Sequence, residues 1–136
     1  MQIEQALARW HAVASNGTKP QDLSAILRDD VVFHSPVVHT PQKGKAIVMA
    51  YLTAASQTLG NSSFTYLQEV ASGNTAVLEF QTEMNGIHVN GIDMITFDDD
   101  GMIIDFKVMV RPLKAVNKVW EMMATQLEAM QAKTAG

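Results

Sequence analysis

A chain of 136 residues, with 47% hydrophobic and 18% charged side chains, is expected to form one globular domain spanning residues 1–136. The net charge of −4 argues against nucleic acid or an anionic membrane as a partner, and the absence of cysteine excludes disulfides, thiolate metal ligands and thiol nucleophiles. The first residues show no basic and apolar secretion signal, and no apolar run reaches the roughly 18 residues of a membrane span, so a cytoplasmic location is expected.

Three helices are predicted in the first half of the chain. Apolar residues spaced by three and four positions predict an amphipathic helix over residues 3–16, and Pro20 is a typical first residue of a second, shorter helix. The β-branched run Val31–His34 predicts a short strand. Gly44 precedes a third helix that extends to about residue 60 and is apolar around much of its circumference. We therefore expect this third helix to be largely buried.

The second half of the chain changes to the two-residue period of β-strands. Strands are predicted over residues 63–71, 75–84, 87–97 and 102–111, separated by turn-forming sequences. The pair Asn85-Gly86 between two alternating runs is the strongest of these turn signals. Because tight turns join antiparallel neighbours and the helices precede the strands, the sequence predicts an α+β fold with a largely antiparallel sheet.

A last helix is predicted from about Pro112. Its apolar residues recur at helical spacing and are Leu113, Val116, Trp120, Met123, Leu127 and Met130. An apolar stripe of this length is expected to be buried. We expect it either to close the open end of a ligand pocket or to pack on a second subunit.

Strand alternation places one acidic residue among apolar ones. Successive strand residues point to opposite faces, and the apolar sets of strands 75–84 and 102–111 identify the inner face of the sheet. On strand 87–97 the matching set contains Asp93, two residues after Gly91. Asp93 is therefore expected to point inward, and Gly91 is expected to leave room beside it for a ligand.

A carboxyl group buried among apolar residues indicates a candidate catalytic site. Burial without a countercharge raises the pKa of a carboxyl group and keeps it neutral, so that it donates a hydrogen bond or acts as a general acid. Asp93 is therefore the candidate catalytic residue. Two alternatives stay open: Asp93 is a structural residue satisfied by backbone groups or by the Trp10 indole, or a bulge at Asn90-Gly91 turns it outward.

Two segments carry a resemblance to a known fold family. The segment Gly91–Ile103, GIDMITFDDDGMI, and the segment Leu27–Val37, LRDDVVFHSPV, resemble the nuclear transport factor 2-like superfamily. Within it, the chain is most similar to the SnoaL-like and ketosteroid-isomerase-like proteins, over essentially its whole length. The resemblance implies a curved antiparallel (mixed) sheet wrapped against three N-terminal helices, forming a cone with an apolar pocket, plus the C-terminal helix.

Measured against ketosteroid isomerases, the site is only partly present. The resemblance places Asp93 at their protonated oxyanion-hole acid, Trp10 at an oxyanion-hole tyrosine, and Tyr51 beside a further tyrosine position. Their general-base aspartate corresponds to Ser35, so ketosteroid isomerisation is not expected. Limonene-epoxide hydrolases need a second acid near Val108, which argues against their chemistry too. SnoaL-like polyketide cyclases rely mainly on one pocket carboxyl, and this sequence supports their chemistry best.

The expected pocket is apolar, with a few polar groups at its edges. Its predicted lining residues are Trp10, Phe33, Ser35, His39, Tyr51, Phe80, Phe106, Val108 and Val110. His39 lies in the loop between Pro36 and Pro41, which we expect at the pocket mouth, although an exposed loop histidine is the alternative. The sequence shows no metal-ligand spacing, so no metal site is predicted, and proton transfer to a carbonyl compound requires no cofactor.

These features lead to two hypotheses for function. The first is a cofactor-free lyase, isomerase or cyclase that acts on an apolar, carbonyl-bearing small molecule, with Asp93 as general acid or oxyanion donor. The second is a non-catalytic module of the same fold that binds an apolar ligand or acts through a dimer surface. The outer face of the sheet mixes Ile92, Met94 and Met109 with polar residues, which predicts a homodimer through that face.

Overall fold

The computed structural model describes the backbone of residues 2–135 and the side chains of residues 2–129. Its elements are α1 (Ile3–Ser15), α2 (Pro20–Ile26), β1 (Leu27–His34), β2 (Gln42–Lys43), α3 (Lys45–Leu59), β3 (Thr65–Ser72), β4 (Thr75–Met84), β5 (Ile87–Phe97), β6 (Ile103–Arg111) and α4 (Leu113–Ala135). The predicted order of helices and strands is confirmed. Two details differ: β1 begins at Leu27, directly after α2, and the two-residue strand β2 precedes α3.

The six strands form one curved, open sheet with the order β2-β1-β6-β5-β4-β3. β1 pairs in parallel with β6, whereas the other neighbouring strands are antiparallel. Asn85 and Gly86 both have positive φ in the turn between β4 and β5, as a tight hairpin requires. The predicted α+β class with a mixed, mainly antiparallel sheet is confirmed.

The core lies on the inner face of the sheet, under the helices. Its largest fully buried side chains are aromatic: Phe33, Phe80, Phe97 and Phe106. Trp10 of α1 packs edge-on against Phe106, with ring centroids 5.0 Å apart. Asp93 lies on the same face, paired in register with Leu78 of β4 and Val108 of β6, and is 7% exposed. The alternation of β5 therefore continues through Asp93 without turning it outward.

The space beside Gly91 is filled by the protein itself. A Cβ atom placed on Gly91 would lie 2.5 Å from Phe80 Cζ and 2.5 Å from the Met109 carbonyl oxygen. Phe80 is the residue paired with Gly91 across β4 and β5, and its ring covers the position of the missing side chain. Gly91 thus permits close packing of β4 and β6 on β5, and the room that the sequence predicted for a ligand is occupied by the Phe80 ring.

The buried face of α4 differs from the predicted stripe. Ala115, Val119 and Met123 are the buried residues, whereas Leu113 is 74% exposed and Trp120 is 60% exposed. This helix packs on α3, and small side chains at the contact allow two helices to approach closely. Within one chain the stripe prediction is therefore correct for Met123, whereas Leu113 and Trp120 remain exposed, and the Met130 side chain lies outside the described residues. No described residue of α4 lines the cavity, and packing of this helix on a second subunit stays a prediction.

Between residues 2 and 135, no helix combines the length and the apolar character needed to cross a membrane.

Replacing Gly91 with alanine tests the close approach of the three central strands. Because the new methyl group meets the Phe80 ring and a backbone carbonyl, we expect Gly91→Ala to lower the free energy of unfolding by about 1–3 kcal/mol, measured by urea denaturation. Gln81→Ala, at an exposed position of β4, is the control and should change it by less than about 0.5 kcal/mol. An equally small effect of Gly91→Ala would contradict this packing.

Candidate functional site

Three side chains from three elements form a hydrogen-bonded chain inside the fold. The Trp10 indole of α1 donates from Nε1 to the Tyr66 hydroxyl oxygen of β3 at 3.1 Å. The Tyr66 hydroxyl in turn donates to Asp93 Oδ2 of β5 at 2.7 Å. Because the indole N–H only donates, it orients the Tyr66 hydroxyl so that the phenolic proton points to the carboxyl group.

The strand register explains how these residues meet. Tyr66 is paired with Phe80, and Phe80 is paired with Gly91, so the three residues lie side by side on the inner face. Asp93 is two residues along β5 from Gly91, on the same face. Since Gly91 has no side chain and the Phe80 ring lies over it, the long Tyr66 side chain reaches the carboxyl group from the far strand.

Burial controls the protonation of this site. Removal from water raises the pKa of Asp93 to about 7, although the hydrogen bond from Tyr66 stabilises the carboxylate and lowers the pKa in part. Burial, the nearby Asp93 charge and the hydrogen bond to Asp93 together raise the pKa of Tyr66 well above its usual value, so Tyr66 stays protonated. Near pH 7, Asp93 therefore populates both a neutral form that donates a proton and an ionised form that accepts one.

A cavity of about 90 Å³ opens beside the hydrogen-bonded chain. It is lined by Trp10, Ala14, Thr18, Leu52, Ala55, Ser56, Leu59, Gly60, Phe64, Tyr66, Phe80, Asp93, Phe106 and Val108. Of these lining residues, only Asp93 and Tyr66 titrate. The lining residues that keep some exposure come from the end of α1, from α3 and the segment after it, and from β3: Ala14, Ala55, Ser56, Gly60, Phe64 and Tyr66. The site is thus an apolar cleft with a single carboxyl group in its wall.

The structure brings five of the predicted site residues to this cavity: Trp10, Phe80, Asp93, Phe106 and Val108. Phe33 and Tyr51 pack on each other, with ring centroids 5.4 Å apart, but neither belongs to the lining. Val110, paired with Gly91, also lies outside it. The predicted apolar walls are therefore assembled in part, with α3 residues completing them.

The loop after β1 does not reach the cavity. Ser35 Oγ accepts a hydrogen bond from the Val37 amide at 3.2 Å, and His39 is exposed. Neither residue lines the cavity. Ser35, which corresponds to the general base of ketosteroid isomerases, therefore stabilises its own loop and does not face the cavity.

Tyr66 is the functional residue that the sequence analysis missed. The predicted strand 63–71 contains it, but a bulge between Tyr66 and Gln68 shifts the register, so simple alternation does not assign the face of each residue. The available signal was chemical: a buried carboxyl group needs a donor, and Tyr66 is one of only two tyrosines in the chain.

The histidines lie outside the cavity lining. His11 Nε2 contacts a carboxylate oxygen of Glu69, and the His11 ring packs edge-on against Tyr66, with ring centroids 5.2 Å apart. His34 is hydrogen-bonded to Asp105 at 2.9 Å on the outer side of the sheet. Within the described part of the chain, no three histidine or acidic side chains come together in an arrangement that could hold a metal ion.

Comparison with known families gives a direct match to this fold. Residues 7–106 match the family model described as a SnoaL-like domain. The chain belongs to the SnoaL-like domain family. The predicted resemblance is thereby confirmed. Any function assigned to the chain must therefore fit a SnoaL-like domain with one carboxyl group in its cavity.

Solved structures agree with this SnoaL-like assignment. The chain is 36% identical to a steroid delta-isomerase from Pseudomonas aeruginosa, with a TM-score of 0.89 and coverage of 96% of this chain and 94% of that one. It is 30% identical to an uncharacterized protein with a cystatin-like fold from Silicibacter pomeroyi, with a TM-score of 0.81 and coverage of 89% and 84%. A de novo designed protein with a curved β-sheet, 18% identical with a TM-score of 0.70 and coverage of 89% and 98%, shares the fold alone. None of the curated proteins compared with the chain matches it.

The raised pKa of Asp93 predicts a specific pH dependence of stability. In the folded protein Asp93 keeps its proton up to about pH 7, whereas in the unfolded chain Asp93 loses this proton near pH 4. The folded state therefore binds more protons than the unfolded state between these two pH values. The contribution of this group to stability is complete below about pH 4 and is lost as the pH rises to about 7.

We therefore expect the stability of the parent, relative to Asp93→Asn, to fall by up to about 4 kcal/mol between pH 4 and pH 8. The difference between the two proteins is measured by urea denaturation at each pH, so that other titrating groups cancel. Asp105→Asn, on the outer face, serves as the control variant. A difference that does not vary with pH would show that Asp93 does not titrate in this range.

Proposed function

We propose that the cavity binds a small, apolar, carbonyl-bearing molecule and that Asp93 catalyses cofactor-free proton transfer on it, as in a lyase, isomerase or cyclase. The observation that carries the proposal is the buried Asp93 carboxyl group, held by Tyr66 and Trp10, in the wall of an otherwise apolar cavity. A ligand made only of apolar groups gains nothing from such a carboxyl group, because desolvating it costs free energy.

The chemistry follows from the two protonation states of Asp93. In its neutral form, Asp93 accepts a hydrogen bond from the Tyr66 hydroxyl at Oδ2 and donates its own proton from the other oxygen to a ligand carbonyl. In its ionised form, it removes a proton from the carbon beside the carbonyl, and the electron pair of the broken C–H bond forms an enolate. Because no other lining residue is an acid or base of suitable pKa, one carboxyl group performs both roles.

The cavity limits the size of the ligand. A volume of about 90 Å³ is small for a ligand site, since ligand pockets usually span roughly 300–1,000 Å³, so only a small molecule, or the carbonyl end of a larger one, fits inside. The similar Pseudomonas aeruginosa protein is a steroid delta-isomerase. We do not extend that reaction to this chain, because Ser35 occupies the position of the general base and lies outside the cavity.

A non-catalytic binding module is the second candidate. It is favoured by one observation: the lining contains a single carboxyl group and no second acid–base residue to complete a proton relay. Binding and catalysis make different predictions for the same probe, so one experiment separates them.

The cytoplasmic location expected from the sequence stays a prediction.

The test measures exchange of the α-hydrogens of pentan-2-one with deuterium in D₂O by NMR. We expect the protein to accelerate this exchange, Asp93→Asn to reduce the acceleration by about 100-fold or more, and Tyr66→Phe to reduce it by about 10-fold. Asp105→Asn is the matched control, since it removes an acid of the outer face. Binding without exchange would support the binding module, and the absence of both would refute the proposal.

We also propose that the protein forms a homodimer through the outer face of the sheet. This face exposes Met109 (49%), next to Ile92 and Met94 of β5. Acidic Glu79 and Glu83 lie on β4, and basic Lys107 and Arg111 lie on β6, on the two sides of the apolar strand β5. A two-fold axis running along β5 places β4 of one copy opposite β6 of the other, so unlike charges face each other.

Met109→Glu tests the dimer. A charge in the centre of an apolar contact should convert a particle of two chains into one of a single chain at micromolar concentration, as measured by analytical ultracentrifugation. Trp120→Glu is the control, because it also places a charge at an exposed apolar position, but on α4. A parent protein that sediments as one chain would refute this interface.

A further inference from the structure

Thr18 lines the same cavity as Asp93, but it comes from a different part of the chain. It lies in the loop between α1 and α2 and is 5% exposed. Its backbone amide donates to the Val13 carbonyl oxygen at 3.0 Å and so closes the end of α1. The backbone position of Thr18 is therefore fixed, and its side chain is held at the cavity.

The Thr18 hydroxyl has no hydrogen-bond partner among the described residues. Buried hydroxyl groups are normally bonded, as the Thr82 hydroxyl is to the Leu59 carbonyl oxygen at 3.2 Å. Thr58 Oγ1 on α3 is the one fully buried side-chain polar atom without a partner in the described part of the chain, and it does not line the cavity. The Thr18 hydroxyl is not sealed in the core in this way, so it stays accessible to a molecule outside the packed interior. Thr18 thus combines an unpaired hydroxyl with a place in the ligand site, whereas Thr58 has only the unpaired hydroxyl.

The backbone at Thr18 is strained in addition. Its φ is 50°, a left-handed conformation that β-branched residues rarely adopt, and it follows Gly17 at 82°. The other non-glycine residue with positive φ, Asn85, is of a type that tolerates this conformation in a hairpin turn. A threonine at such a position costs free energy that glycine or asparagine would avoid, and strain of this kind concentrates at functional sites.

We infer that Thr18 is a second ligand-binding residue of the cavity and that its hydroxyl bonds to a second oxygen group of the ligand. The ligand class is then a small, mainly apolar molecule with two oxygen functions: a carbonyl at Asp93 and a hydroxyl or second carbonyl at Thr18. This inference rests on the proposed function for the Asp93 end of the cavity.

The experiment compares ketones of matched shape that differ by one hydroxyl group. The pairs are pentan-2-one with 4-hydroxybutan-2-one, and hexan-2-one with 5-hydroxypentan-2-one, which sample two spacings of the oxygens. Binding is followed by the NMR signal of the Trp10 indole N–H, which is hydrogen-bonded to Tyr66 at the site. The second tryptophan, Trp120, is exposed on α4 and provides an internal reference.

We expect Thr18→Val to lower the affinity ratio of hydroxyketone to ketone by roughly 3- to 10-fold for at least one pair. Thr58→Val, which removes the other unpaired hydroxyl, should leave the ratio unchanged, and Thr18→Ser should retain it. Using a ratio cancels the cost of desolvating the ligand hydroxyl and any general loss of stability.

The outcomes separate this inference from the proposed function. If the plain ketones bind the parent but the ratio is the same in Thr18→Val, the role of Thr18 is refuted and the Asp93 site stands. If neither ketone binds the parent, the proposed function and the Thr18 inference fall together. If Thr58→Val lowers the affinity ratio of hydroxyketone to ketone as much as Thr18→Val does, a specific contact at Thr18 is also refuted.

Discussion

The hydrogen bond from Tyr66 to Asp93 is the interaction on which the site depends. A carboxyl group in an apolar core is costly unless it is neutral or bonded, and Tyr66 supplies the bond from a strand two positions away in the sheet. Trp10 fixes the Tyr66 hydroxyl in turn, so α1, β3 and β5 meet at one point. The cavity lies beside this point, and the chemistry proposed for it derives from the same burial that makes the bond necessary.

One satisfied oxygen and one available oxygen give Asp93 its dual character. The bond from Tyr66 stabilises the carboxylate, whereas burial favours the neutral acid, and the balance places the pKa near the pH of a typical cell interior. Because the folded protein favours the neutral acid, ionisation of Asp93 near neutral pH lowers the free energy of unfolding. In this SnoaL-like domain the same cavity is lined by Thr18, whose positive φ is a second unfavourable feature beside the buried acid, and such features concentrate at functional sites.

Strand β5 connects the cavity with the opposite surface of the sheet. Asp93 points to the helices, and its neighbours Ile92 and Met94 point outward because strand side chains alternate. The proposed dimer would therefore rest on the back of the strand that carries the acid. Helix α4 packs mainly on α3 and also contacts β5 and β6, and Trp120 stays exposed.

The order of the elements and the inward position of Asp93 were predictable from the sequence, because turn residues and the two-residue period are local properties. The family was predictable from the resemblance of two segments to known proteins. The sequence did not determine the partner of Asp93. Tyr66 is 27 residues away in sequence, and a bulge in β3 hides its orientation from simple alternation. Packing between distant parts of the chain places the Phe80 ring over Gly91 and builds the cavity from α1, α3 and the inner face of the sheet, without His39. These features depend on contacts between side chains that are distant in sequence, and a local sequence pattern does not specify such contacts.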